Sequence, residues 1–364
     1  MTSLFEPMTF ARGPAMKNRF MLAPLTNLQS HPDGVLSDDE FRWLTMRAKG
    51  GFGLTMTCAA HVQAAGQGFP GQLGVFGDQH LAGLTRLAAA IKAEDSVAVA
   101  QLHHAGMRSP ANLIGRAPMC PSDDAETGAV AMTEAEVEQL AEDFIAAAVR
   151  AEKAGFDGAE LHGAHGYVLC QFLSPEINRR EDPWGGSLEN RTRLIRDIIK
   201  GVRARTRPDF NLGIRLSPER FGLKLGEIRD FAAELMAGGQ LDYIDMSLWD
   251  CFKAPVEADF QAKGLMAWFT ELPRHGTRLG VAGKLTGGPE AQRVLDEGAD
   301  FAVIGRAAIL HHDFPNQVRA NAGFEPIALP VTEAHLRAEG LGPAFVTYMK
   351  TWKGFVAEEL QPAE

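Results

Sequence analysis

Between Glu160 and Arg191 the chain reads E-L-H-G-A-H-G-Y-V-L-C-Q-F-L-S-P-E-I-N-R-R-E-D-P-W-G-G-S-L-E-N-R. Two imidazoles and a phenol, His162, His165 and Tyr167, fall within six residues, and Gly163 and Gly166 loosen the backbone between them. Such groups donate hydrogen bonds to a substrate oxygen and deliver a proton. A lone histidine at a strand end is most simply a locally satisfied polar group. Three such groups at one terminus point instead to a reaction. A metal reading of the pair is weaker: H-x-x-H at a strand end lacks an evident third ligand and the i, i+4 helical spacing of a zinc protease. No metal is expected.

Groups so placed need a scaffold that delivers strand ends to one mouth. Apolar strands are expected at Arg19–Asn27, Phe52–Val62, Val97–Gly106, Gly158–Val168, Asn211–Pro218, Leu241–Trp249, Arg278–Thr286 and Phe301–Leu310. Helical spacing separates most of them. Ser37 with Glu40 and Thr133 with Glu136 have the capping-box pattern, and Ser187 and Pro289 stand where further helices should begin. Alternating β and α elements imply a parallel sheet, and eight repeats imply closure into a (β/α)8 TIM barrel. We expect one barrel domain over residues 1–364, with a less regular tail from about 330. The competing architecture is a doubly wound open sheet. Gly66-Gln67-Gly68-Phe69-Pro70-Gly71 matches G-x-G-x-x-G, but Pro70 and the lack of a following helical pattern make it a loop.

Composition narrows the function classes. The 364 residues carry a net charge of −10, which disfavours a nucleic-acid surface. Four cysteines without C-x-x-C spacing argue against zinc, an iron–sulfur cluster or a disulfide framework, and fit a reducing cytoplasm. No apolar run has the length of a membrane span or signal peptide, so a cytoplasmic, membrane-free protein is expected.

In a parallel barrel the active site lies at the C-terminal strand ends. Those ends carry Ala23, Pro24 and Thr26; Ala59; Gln101, His103 and His104; His162, His165 and Tyr167; Arg215; Gly283 and Lys284; and Gly305 and Arg306. The last two pairs suit a phosphate after strands seven and eight: glycine lets backbone N–H groups approach, and the cations supply charge. The plainer alternative is two tight turns with surface cations. Gln101 can present donor and acceptor to a pyrimidine-like edge, and Arg215 can offset developing negative charge. From the residues alone, this describes a site for some phosphorylated heterocycle. His103-His104 and His311-His312 read as structural, because neighbours on a strand point apart.

H-G-A-H-G-Y-V-L-C-Q-F-L-S-P followed by D-P-W-G-G-S-L-E-N-R closely resembles the signature of the old yellow enzyme family of FMN-dependent ene-reductases. The resemblance runs from R-F-M-L-A-P-L-T-N to A-V-I-G-R-A, and His104 matches a position within Q-L-x-H-x-G. It implies tightly bound FMN across the barrel mouth. Ala23, Pro24, Thr26, Ala59 and Gln101 would contact the isoalloxazine, Arg215 would lie near its N1/O2 edge, and Gly283, Lys284, Gly305 and Arg306 would hold the phosphate. It further implies that NAD(P)H reduces FMN, which passes hydride to the β-carbon of an activated alkene (enone, enal, maleimide or nitroalkene). The alkene's oxygen would lie on His162 and His165, with Tyr167 as proton donor. Thr26 resembles the branch with threonine instead of cysteine there. Cys58, His61 and Trp184 depart from the family's commoner residues, and the 249–269 loop and the tail match weakly. The partner is a small molecule, and a homo-oligomer is compatible. Two alternatives stand beside this: a barrel isomerase or aldolase on a phosphorylated substrate, for which Lys284 is the only obvious base, and a non-catalytic flavin-binding protein.

Overall fold

The computed structural model describes residues 2–358. Eight parallel strands close on themselves: β1 (Phe20–Leu22), β2 (Leu54–His61), β3 (Val97–His103), β4 (Gly158–Gly163), β5 (Asn211–Leu216), β6 (Tyr243–Ser247), β7 (Arg278–Ala282) and β8 (Phe301–Ile304). Each pairs with its sequence neighbours, and β1 closes the ring onto β8 through Met21↔Val303 and onto β2 through Met21↔Leu54. Closure excludes the open sheet. It also leaves no strand edge bare.

Two apolar layers hold this ring. The outer one packs the strands' outward faces against helices such as α1 (Asp38–Lys49), α2 (Leu81–Lys92), α3 (Glu134–Lys153) and α4 (Leu188–Arg205). The inner one plugs the N-terminal end of the barrel with Met8, Met16, Met21, Leu54, Val97, Tyr243, Phe301 and Val303. Met8 and Met16 belong to a bridge whose backbone bonds of 3.0 and 2.8 Å lay the N-terminal segment across that end. Glycine makes room for the plug's rings. A Cβ at Gly213 would stand 2.1 Å from Tyr243 Cζ, and one at Gly280 would stand 2.1 Å from Phe301 Cε2. Burying each such ring contributes about 1.5–3 kcal/mol, so the floor is a packed core and any ligand must enter from the opposite mouth.

Several boundaries differ from the sequence reading. β1 stops at Leu22, β4 at Gly163 and β8 at Ile304, each well short of the expected end. After β4 the chain turns through His165 and Gly166, both at positive φ, into a short buried helix, Val168–Leu173. After β8 it turns at Gly305 into Arg306–Leu310. Apolar residues continue through both turns because the following helix is buried too, so hydrophobicity alone could not mark the ends. The tail after 330 is more regular than expected, with helices at Glu333–Ala338 and Pro343–Lys350. Phe345 packs edge-on against Trp43 of α1 at 4.9 Å.

Ser37 caps α1 as expected, accepting from Glu40 N, but the reciprocal half of the box is missing. Glu40 turns inward instead, where its carboxylate accepts from Asn27 at 3.1 Å and from Ser30. Burial pushes its pKa up, against the hydrogen bonds. At Thr133 both halves of the box form. The G-x-G-x-x-G segment is a loop with a 3-10 turn at Ala64–Gly66, and a Cβ at Gly66 would meet His104 Cδ2 at 2.3 Å. That glycine serves side-chain packing, not phosphate. No helix among the described residues is long and apolar enough to cross a membrane.

Candidate active site at the C-terminal mouth

Strand pairing puts the chemistry in register. Gln101 stands beside Ala59 and Glu160, while His162, Arg215 and Asp245 are successive Cα partners on β4, β5 and β6. Because side chains alternate across a strand, Gln101 and His103, Glu160 and His162, and Tyr243, Asp245 and Ser247 share the inward face. Above the apolar plug this face forms a buried polar layer, and above that layer opens a cavity of about 190 Å3. Its walls include Pro24, Thr26, Ala59, Gln101, His162, His165 and Tyr167, all expected site residues. Ala23 lies buried just beside it, its Cβ 4.0 Å from where a Cβ on Gly305 would stand.

The histidines form a continuous row. His103 Nδ1 lies 3.1 Å from His162 Nδ1, His162 Nε2 lies 3.0 Å from His165 Nδ1, and His165 Nε2 lies 2.7 Å from Ser247 Oγ. His165 sits at φ +62°, held because its N–H donates to Ser217 Oγ and its carbonyl accepts from Arg108. Burial drives the pKa of His162 well below its ordinary value and that of His165 down to about 3, helped by the nearby cations. Both rings are therefore neutral donor–acceptors. The Tyr167 ring stands edge-on 5.0 Å from His162 and under Arg108 at 4.6 Å. Burial raises the phenol's pKa, so it keeps its proton at neutral pH.

Below these groups lies a cluster of which the sequence reading named Gln101 and Arg215 but passed over Glu160 and Asp245. Gln101 donates to Glu160 at 2.8 Å, and Arg215 Nε lies 3.2 Å from Asp245 Oδ2. Two carboxyls face one guanidinium. Burial, then the charge of Asp245, pushes the Glu160 pKa up to about 8, so a proton stays on this pair. Gln101 Oε1, Glu160 Oε2 and the Tyr243 hydroxyl have no hydrogen-bond partner among the described residues. A period-2 reading of A-Q-L-H, A-E-L-H and Y-I-D-M-S would have found Glu160, Asp245 and Ser247, since an inward position on a barrel strand is normally apolar. Phe69, Tyr348 and Trp352 also line the cavity. The latter two come from the tail, which Gly342 N ties to the β1–α1 loop through Gln29 at 2.7 Å. No local signal announces a long-range contact of that kind.

The expected anion residues sit on the opposite rim. Gly283 is at φ +156°, where a Cβ would meet Asp250 N at 2.8 Å. Lys284 is exposed and its ammonium lies 3.0 Å from Asp250. Gly305 is open: an added Cβ would find only Leu25 at 3.9 Å and Ala23 at 4.0 Å. Arg306 is exposed. A planar heterocycle with an anionic tail fits these residues. The cavity has partly apolar walls and includes Gln101, whose buried amide oxygen has no hydrogen-bond partner among the described residues, and glycine leaves room beside β8. Among the described residues, no three His, Cys, Asp or Glu side chains converge as a metal site.

Comparison with known proteins agrees with this fold. Residues 3–323 match the model of the NADH:flavin oxidoreductase / NADH oxidase family. The probable NADH-dependent flavin oxidoreductase YqiG of Bacillus subtilis is 34% identical over 327 residues, 87% of each chain. The NADH:acrylate oxidoreductase of Vibrio harveyi is 32% identical over 335 residues, which are 87% of this chain but 33% of that protein. The old yellow enzyme homologue from Zymomonas mobilis superposes with a TM-score of 0.79 at 27% identity, over 95% of this chain and 99% of the other. With its closed barrel and this mouth, the chain belongs to the NADH:flavin oxidoreductase / NADH oxidase family, the family of the old yellow enzymes.

Proposed function

We propose that this FMN-dependent, NAD(P)H-consuming oxidoreductase reduces activated alkenes such as enones, enals, maleimides and nitroalkenes, and that His162, His165 and Tyr167 are the groups that make the alkene reactive. Bound FMN supplies reversible hydride chemistry, taken from the nicotinamide and given up to an acceptor. Everything else falls to the chain. Pro24, Ala59 and Ala23 supply apolar contact, Thr26 and Gln101 polar contacts to the ring edge, and Arg215 a positive charge beneath. Gly283 and Gly305 give backbone access to the phosphate, with Arg306 and Lys284 as its cations.

The observation that carries the reading is the convergence of two neutral imidazoles and a protonated phenol on one partly enclosed cavity. Hydride adds to a β-carbon readily only when charge collects on a conjugated oxygen. Donors aimed at that oxygen stabilise the enolate-like transition state by about 3–4 kcal/mol, the scale of one oxyanion-hole donor. An oxygen entering between His162 and His165 displaces their mutual contact, which requires one ring to turn. Tyr167 then gives its proton to the α-carbon and recovers it from solvent, so hydride and proton together saturate the double bond. The acrylate named for the Vibrio harveyi relative is an alkene of this electronic type. The phosphosugar isomerase or aldolase reading fails to find its base, since Lys284 is turned to Asp250.

The test is anaerobic. The purified yellow protein is titrated with NADH or NADPH until its visible absorbance bleaches, then mixed with a panel of alkenes. Return of the absorbance with stoichiometric saturated product is expected, and Tyr167→Phe should slow that return while leaving the bleaching unchanged. Bleaching that no activated alkene reverses would overturn the substrate class.

A further inference from the structure

We infer that His103 is a positioning residue that sets the tautomer of His162, and with it the ability of His162 to donate to a substrate oxygen; this rests on the alkene reading of the same site. His103 and His162 meet through the same atom, Nδ1 to Nδ1 at 3.1 Å, with ring centroids 5.1 Å apart. Two neutral imidazoles in that arrangement cannot both be bare at Nδ1, nor both protonated there: one donates and the other accepts. Burial keeps both rings neutral, and neighbouring histidines and Arg108 oppose a charge on either. The choice between the two arrangements decides what His162 carries on its far nitrogen, which lies 3.0 Å from His165 Nδ1 and meets a substrate oxygen once that contact is displaced. If His162 donates from Nδ1, its Nε2 is a bare acceptor and repels an oxyanion. If His103 donates, His162 carries its proton on Nε2 and becomes a donor.

The far side of His103 settles the direction. Its Nε2 is fully buried and has no hydrogen-bond partner among the described residues. Orphaned buried N–H groups are rarer in folded proteins than under-satisfied acceptors. The proton of His103 therefore belongs on Nδ1, where it is donated to His162. The rest of the row follows in one sense: His162 Nε2–H faces His165 Nδ1, and His165 Nε2–H faces Ser247 Oγ. Both imidazoles then carry their proton on Nε2, the state from which they can donate to an enolate oxygen once these contacts are exchanged. The Tyr167 ring, edge-on 4.3 Å from His103, holds the imidazole in its plane.

The experiment reads tautomers directly, in the FMN-loaded protein labelled with 15N-histidine, by long-range 15N–1H correlation, with His162→Asn used for assignment. Wild type should show His162 as the Nε2–H form. His103→Leu, which fills the space but cannot donate, should shift His162 toward the Nδ1–H form and slow alkene-dependent reoxidation about tenfold, one hydrogen bond's worth. Reduction by NAD(P)H should not change. His103→Asn keeps a donor near the Nδ1 position and should restore both signals, whereas His103→Asp, an acceptor, should hold His162 in the Nδ1–H form. Were His162 to remain Nε2–H in His103→Leu with reoxidation within about twofold of wild type, the inference would be overturned. A protein that reduces no alkene would sink the functional reading alone, because the tautomer shift is read without turnover.

Discussion

The two sides of the barrel mouth are built on opposite principles. On the side from β3 to β6 the polar groups are buried, neutral and bonded to one another, from His103 through His162 and His165 to Ser247. On the β7–β8 side the charges are exposed, and what is buried is space: Gly305 leaves a recess that no neighbour fills closer than 3.9 Å. The contrast follows from what each side must recognise. A developing enolate is a transient, directional charge, best met by fixed donors that need no reorganisation. A phosphate is a permanent charge, held well enough by backbone N–H groups and nearby cations in water. Changes on the first side should therefore act on a rate, and changes on the second on an affinity.

The sharpest break of that contrast is the double variant His162→Ala/His165→Ala. It should slow flavin reoxidation by alkenes about 10²–10³-fold, the scale for loss of oxyanion donors, and leave FMN retention intact. Equal slowing of the nicotinamide half-reaction would make this wall mere scaffold. Next in size comes Gly305→Ala. The added methyl meets protein only at ordinary van der Waals distance, 3.9 Å from Leu25 and 4.0 Å from Ala23, so the melting temperature of the apo form should hold. The Kd for FMN should rise about 10–100-fold, as loss of one or two charge-assisted hydrogen bonds would give. A drop in apo stability instead would mean that Gly305 serves the fold.

How legible each side was in the sequence follows the same division. His162, His165 and Tyr167 could be read because short-range spacing carries them. The closed barrel could be read because eight apolar strands recur without a break. Glu160 and Asp245 were missed, although they occupy the inward period-2 positions of β4 and β6, because attention to strand ends overlooks the layer beneath. Tyr348 and Trp352 had no sequence signal, since only tertiary packing brings residues so late in the chain over Pro24 and Thr26. The inward turn of Glu40 shows the same limit. A capping-box pattern states what a glutamate can do locally, and the buried amide of Asn27 outcompeted it.

A smaller effect tests whether the buried side holds the proton assigned to it. Glu160 has a pKa raised from 4.5 to about 8 in the folded chain. The folded state then keeps a proton that the unfolded chain has released. The resulting stability is full below the unfolded value and is lost as pH rises through about 8. His165, lowered to about 3, works the other way: its contribution is complete above 6.5 and is lost on acidification. Glu160→Gln should therefore flatten the fall of melting temperature between about pH 4.5 and 8, by roughly 2–4 °C per kcal/mol recovered. An unchanged slope across that range would place the proton elsewhere.

The smallest expected difference separates the two exposed cations. Lys284 is 59% exposed and lies 3.0 Å from Asp250, so much of its field is already compensated and the rest is screened by water. Arg306 makes no ion pair among the described residues, and its planar fork can meet two phosphate oxygens at once. Arg306→Ala should raise the Kd for FMN about tenfold, and Lys284→Ala only about twofold, the range of an exposed pair. Asp250→Asn then becomes informative, because it removes the competitor without touching either cation. It should tighten FMN about twofold at low salt and lose that gain as ionic strength rises. If Lys284→Ala instead costs as much as Arg306→Ala, the lysine must leave Asp250 when the anion binds. The rim would then be rearranged by its ligand, unlike the interlocked wall across the mouth.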